Sequence, residues 1–136
     1  MKFGYIRTTV LDHNLNLQIE ALNREGCELI YSEKQSSSKE RLEFEKLRER
    51  VKAGDMVIVW KFLNLANSIS DLSRIINEFH TKKVEFRSLL DNVDTTNQNG
   101  RFVYELISTL AKLESEMISE RTIRGLRKAR ENGRVG

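Results

Sequence analysis

Along the first 90 residues the chain switches between two hydrophobic periods. Lys2–Arg7 and Met56–Trp60 are short apolar runs, the second rich in β-branched and aromatic side chains, and both predict buried strands. Glu28–Tyr31 and Val84–Leu89 are weaker strand candidates. Between them, Leu15, Leu17, Ile19 and Leu22 fall close to a helical stripe. Asp12 is its candidate N-cap and Gly26 its stop, so a helix is predicted over Asn14–Arg24. Ser37-Ser38-Lys39-Glu40 and Ser68-Ile69-Ser70-Asp71 share the Ser-x-x-acid spacing that satisfies the free amides of a helix start. They predict helices near Lys39–Val51 and Ser70–Thr81. Strands alternating with helices specify an α/β fold, a mainly parallel sheet with helices on both faces.

The last third has a single period. From Gly100 to about Asn132 only Gly125 interrupts a helical pattern, and Val103, Leu106, Ile107, Leu110, Leu113 and Met117 step by threes and fours. Such a helix is about 45 Å long at 1.5 Å per residue, more than a domain of this size can cover. The 3,4 alternation predicts packing against a helix of another subunit, with Val103, Leu106, Leu110, Leu113 and Met117 as the dimer interface. Packing of the stripe within one chain is the alternative. The expected organisation is therefore an α/β domain over 1–99 and, over 100–136, a long dimerisation helix with a basic arm.

Charge adds a direction to that helix. The net charge of +3 conceals an asymmetry: Arg121, Arg124, Arg127, Lys128, Arg130 and Arg134 oppose only Glu131 in the last 16 residues, giving +5 there and −2 elsewhere. A polyanion is the expected partner, either nucleic acid or an anionic membrane surface. No apolar run approaches the roughly 20 residues of a membrane span. The chain enters a patterned segment directly, without a secretory signal, so a cytoplasmic location is expected. One cysteine, Cys27, and two histidines, His13 and His80, cannot make a disulfide framework or a zinc site, and Asp91 with Asp94 is too small a set for a calcium loop. No metal and no cofactor is expected. Cys27 and Trp60 read as core residues.

Candidate chemistry lies at the end of the first strand. Tyr5-Ile6-Arg7-Thr8-Thr9 sets a guanidinium beside a hydroxyl at the carboxyl edge of a parallel sheet, where open α/β sheets carry their working loops. That pairing suits phosphoryl transfer, in which a protein mainly positions groups and neutralises oxygen charge. A threonine at a strand end is also a common turn or cap residue, and a catalytic base at His13 competes with a solvated loop histidine.

The opening Gly4-Tyr5-x-Arg7-x-Thr9 resembles the Gly-Tyr-x-Arg-x-Ser start of the resolvase/invertase family of serine recombinases, closest to the DNA invertases. The resemblance continues through Leu17-Gln18, Gly26-Cys27, Arg41, Gly54-Asp55-x-Val57-x-Val59-Trp60-Lys61, Phe86-Arg87-Ser88-Leu89 and Gly100-Arg101-Phe102. It ends in Glu120-Arg121-Thr122, Gly125-Leu126 and Gly133-Arg134-Val135-Gly136. It implies a resolvase-like domain for site-specific recombination, which cuts DNA through a phosphoserine bond without metal or high-energy cofactor. Position by position, Thr9 would stand at the nucleophile, Arg7, Arg41 and Arg50 would bind the scissile phosphate, and Gln18 would support them. Glu120 and Arg121 would belong to the helix that dimerises and crosses DNA. Double-stranded DNA is then the partner of the arm, in a nucleoid-associated homodimer; a tetramer and a heteromer with an active recombinase are further arrangements.

Three departures qualify that picture. Thr9 replaces serine with a bulkier, χ1-restricted alcohol. The family pattern Asp-Arg-Leu-x-Arg reads Leu63-Asn64-Leu65-Ala66-Asn67 here, losing one carboxylate and two guanidiniums. The sequence ends at Gly136, where family members continue into a helix-turn-helix, so that module is expected to be absent. The expectation is a catalytically defective, DNA-associated dimer. The alternatives are a slow recombinase that still uses Thr9 and a protein-interaction module that does not touch DNA.

Overall fold

The computed structural model describes residues 1–8, 15–34 and 41–131, with side chains through 126. In chain order these form β1 (Lys2–Thr8), α1 (Leu15–Arg24), β2 (Leu29–Lys34), α2 (Leu42–Arg50), β3 (Met56–Val59), α3 (Phe62–Leu65), α4 (Ile69–Thr81), β4 (Glu85–Ser88), β5 (Val93–Asp94) and α5 (Gln98–Glu131). Among the described residues the strands make one sheet in the order β2-β1-β3-β4-β5, parallel except for the antiparallel β5.

Period-two alternation divides the core into two layers. Phe3 and Tyr5 of β1, Val57 and Val59 of β3 and Phe86 of β4 point to one face, against Phe44 and Leu47 of α2 and Leu72, Ile75, Ile76 and Phe79 of α4. Ile6 and Ile58 point to the other, against Leu22 and Ile19 of α1. Gly4 faces that second layer, and a Cβ there would stand 2.9 Å from Leu22 Cδ1. Its missing side chain is what lets α1 lie close on β1.

The helix after β3 has no counterpart among the elements read from the sequence. The segment that follows the third strand forms the one-turn α3, whose first amide, Phe62 N, donates to Asp91 Oδ2 at 2.7 Å; Ser88 Oγ donates to the same oxygen at 2.6 Å. A cap supplied from 29 residues away leaves no local spacing to read. Asp94, expected in a polar loop, belongs to β5, where its carboxylate receives Arg87 Nε at 3.0 Å and Nη2 at 2.7 Å. The second strand begins at Leu29 and runs to Lys34, past the expected end at Tyr31, because β1 offers a full-length partner through Thr8. At α4 the Ser68 hydroxyl accepts from Asp71 N at 3.1 Å as expected. The Asp71 carboxylate does not complete the reciprocal cap, since two guanidiniums draw it away. Asp12, and the Ser37–Glu40 capping motif proposed for α2, lie outside the described residues.

α5 is 34 residues long and carries two apolar lines. Tyr104 and Ile107 pack on the core and Ala111 is buried, at the i, i+3, i+7 spacing of one face. Leu106, Leu110, Leu113 and Met117 form the neighbouring line and are exposed; Val103 is half-buried. The helix is thus anchored by its first half along one face, which takes Ile107 of the stripe read from the sequence, while Leu106, Leu110, Leu113 and Met117 stay uncovered by their own domain.

Candidate functional site

The strand order 2-1-3-4 opens a crevice at the carboxyl ends of β1 and β3, the point where successive connections leave in opposite directions. Arg7 and Thr8 end β1 at this point, and both are buried. Arg7 is only 5% exposed. Burial, and then the neighbouring charge of Arg41, push its guanidinium below the ordinary arginine value. Two cations held this close form a natural seat for an anion.

Arg41 reaches the crevice from the residue preceding α2. Its Nη1 donates to the Leu65 carbonyl at 2.5 Å and its Nη2 to Asp71 Oδ2 at 3.1 Å. No side chain at position 41 caps α2. Glu33 of β2 does so instead, accepting from Phe44 N at 3.1 Å and from the Tyr5 hydroxyl at 2.7 Å. Burial and this carboxylate both push the Tyr5 hydroxyl upward in pKa, so it remains a neutral donor that ties β1 to β2.

The opposite wall is α3 and the residues after it. Asn64 is 4% exposed and its Nδ2 donates to the Arg7 carbonyl at 2.8 Å. Asn67 Oδ1 accepts from Arg7 Nη2. Leu63, by contrast, is 73% exposed and points away from both. The crevice therefore brings together Arg7, Arg41, Asn64, Asn67 and Asp71 from four separate segments of the chain.

Other candidates are dispersed. Gln18 is buried on α1. Arg50 is exposed in the last turn of α2, about 13 Å along the helix from Arg41. Thr9 and His13 lie outside the described residues. Arg121 and Arg124 are exposed on α5; Arg127, Lys128 and Arg130 lie on the same helix, and Arg134 falls outside the described residues. Among the described residues no group of three or more His, Cys, Asp or Glu side chains could hold a metal ion. No described helix is long and apolar enough to cross a membrane.

Sequence reading missed Asp71, Glu33 and Asp91 as builders of the site. Asp71 was legible only as half of a capping motif. Nothing local marks Glu33 or Asp91, since each acts on a segment remote in sequence.

The family profile for the resolvase N-terminal domain matches residues 2–135. The chain belongs to the resolvase family. It is 38% identical to the serine recombinase Gin of Escherichia phage Mu, over its whole length and 71% of that relative. It is 39% identical to the DNA-invertase of Escherichia phage P1, again over its whole length and 74% of the relative. A solved resolvase family site-specific recombinase from Streptococcus pneumoniae superposes with a TM-score of 0.77 at 22% identity, covering 95% of this chain and 97% of that one. The resolvase-like fold and its long C-terminal helix thus agree with the reading of the sequence.

Proposed function

We propose that this resolvase-family chain serves site-specific DNA recombination as a DNA-associated dimer whose own strand-cleavage chemistry is defective. One observation carries the second half of the proposal. The segment expected to supply a carboxylate and two guanidiniums to the crevice supplies Leu63, Asn64 and Asn67, and both asparagines are already engaged with Arg7.

The chemistry makes that loss expensive. Attack of an alcohol on a phosphodiester displaces a deoxyribose oxygen and passes through a phosphorus centre with extra negative charge on its equatorial oxygens. Preorganised cations must offset that charge as it develops. Arg7 and Arg41 remain, but Asn64 and Asn67 stand where the family pattern implies two further guanidiniums. Loss of one preorganised donor costs about 10²- to 10³-fold in rate. At Thr9 the added methyl crowds in-line attack on the same phosphorus.

The remainder of the molecule suits binding. The exposed Leu106, Leu110, Leu113 and Met117 line is a seam for a second copy, and the basic residues follow it along the same helix. A dimer of this form presents two cationic arms to one duplex. Contacts of this kind are to phosphates, so they give salt-sensitive and weakly sequence-specific binding. Work on chromosomal or phage DNA places such a protein with the nucleoid in the cytoplasm.

A covalent-adduct assay tests the proposal. The chain is fused to a defined DNA-binding domain and given matched sites on supercoiled DNA, beside a variant carrying Thr9→Ser, Leu63→Asp, Asn64→Arg and Asn67→Arg. Protein-linked DNA ends are expected from the variant alone. Adducts from the parent that vanish in Thr9→Val would establish a slow threonine nucleophile instead. Silence of both proteins would overturn the assignment of the defect to these four positions.

A further inference from the structure

Asp71 bonds to Arg41, Asn67 and Arg74 at once. It occupies the first turn of α4. Its Oδ2 accepts from Arg41 Nη2 at 3.1 Å and lies 3.4 Å from Asn67 N, and its Oδ1 accepts from Arg74 Nη2 at 2.6 Å. Its own amide is fixed by Ser68 Oγ at 3.1 Å. Burial pushes the carboxyl up, but the hydrogen bond from Arg74 and the charge of Arg41 outweigh it and hold Asp71 below the ordinary carboxylate range. It is therefore an anion at neutral pH.

Both arginines of the crevice connect to this one carboxylate. Arg41 is held directly. Arg7 is held through Asn67, whose side chain accepts from Arg7 while its backbone amide faces Asp71. We propose that Asp71 is the positioning residue of the phosphate seat: it orients Arg41, and through Asn67 orients Arg7, so that the two guanidiniums meet one phosphodiester oxygen pair together. This rests on the reading of Arg7 and Arg41 as phosphate ligands.

The sign of the effect separates positioning from simple charge. A carboxylate beside an anion site repels the anion, so neutralising it should tighten binding if charge were all that mattered. If Asp71 positions the arginines, neutralising it weakens binding, because a long, mobile guanidinium must then be ordered by the ligand.

The experiment is an NMR titration of the full chain with inorganic phosphate, followed at the Arg7 and Arg41 Nε–H signals. In the parent both signals are expected to move together. In Asp71→Asn, which keeps the size of the side chain and the Ser68 bond to its amide, phosphate affinity is expected to fall about tenfold, the worth of one charge-assisted hydrogen bond. The Arg41 Nη2 protons, which donate to Asp71 in the parent, should also lose their protection from exchange. In Asp71→Glu the charge is kept and the acceptors move, and affinity should fall as well; this variant decides the matter if the amide does not fold. Arg41→Lys in the Asp71→Asn background should add little to the loss. Unchanged or tighter binding in both Asp71 variants, with phosphate still moving the arginine signals, overturns the positioning role alone. Absence of any shift at Arg7 and Arg41 in the parent overturns the phosphate seat, and this role with it.

Discussion

The Asn64 side chain donates to the main-chain carbonyl of Arg7 at 2.8 Å, across 57 residues of sequence. A position expected to carry chemistry in this family has become a brace between α3 and the end of β1. Its Oδ1 is buried and finds no hydrogen-bond partner among the described residues, so the brace is only half satisfied.

Removing that brace should cost stability. Asn64→Ala leaves the Arg7 carbonyl in a buried crevice without its donor, and a buried polar group stripped of its partner costs about 1–3 kcal/mol. Urea denaturation should show the lower midpoint. Asn64→Arg alone should be destabilised too and form no DNA adduct, because the side chain must leave a buried position and the other lost groups are still missing.

The seam on α5 should control assembly. Leu110→Asp with Leu113→Asp should weaken self-association by more than about a hundredfold, since burial of one leucine is worth about 1.5–3 kcal/mol. Lys112→Asp lies off the seam and should leave it intact. Sedimentation equilibrium distinguishes the two, and a parent that is monomeric at high micromolar concentration would sink the dimer.

Gly100 should tolerate no side chain. A Cβ there would lie 1.7 Å from the Asp94 carbonyl oxygen, a backbone atom that cannot swing aside. Gly100→Ala must lift the start of α5 from β5, at a cost of about 1–3 kcal/mol or more. Thermal unfolding should register the loss, and proteolysis should open first near the start of α5.

Acid should loosen the fold through a small set of carboxylates. The Arg48 hydrogen bond holds Glu78 below its ordinary value of 4.5. Burial raises Asp94, but hydrogen bonds from Thr96 and Arg87 outweigh it and hold the group below 3.8. Asp71 is held below 3.8 as well. Groups lowered in this way contribute fully above their unfolded values and lose the contribution as pH falls through the folded ones. The urea midpoint should therefore drop progressively below about pH 4.5, and Glu78→Gln should remove part of that drop.

Local pattern was sufficient wherever neighbours in sequence are neighbours in space. Apolar runs located β1 and β3, the Ser68 cap located the start of α4, and the threes and fours of α5 located a helix its own domain leaves partly uncovered. The place of Arg7 near the carboxyl end of β1 was legible for the same reason, since a strand carries its last residues to one edge of the sheet. Tertiary structure alone decided what surrounds them. Parallel strands need long crossovers, so the crevice is lined by residues from β1, α3, α4 and the entry to α2, and caps such as Glu33 and Asp91 act across 11 and 29 residues. Hydrogen bonds at that separation leave no period or spacing in the chain. For the same reason only the fold could show that Asn64 and Asn67 both bond to Arg7 and that Asp71 accepts from Arg41 across 30 residues.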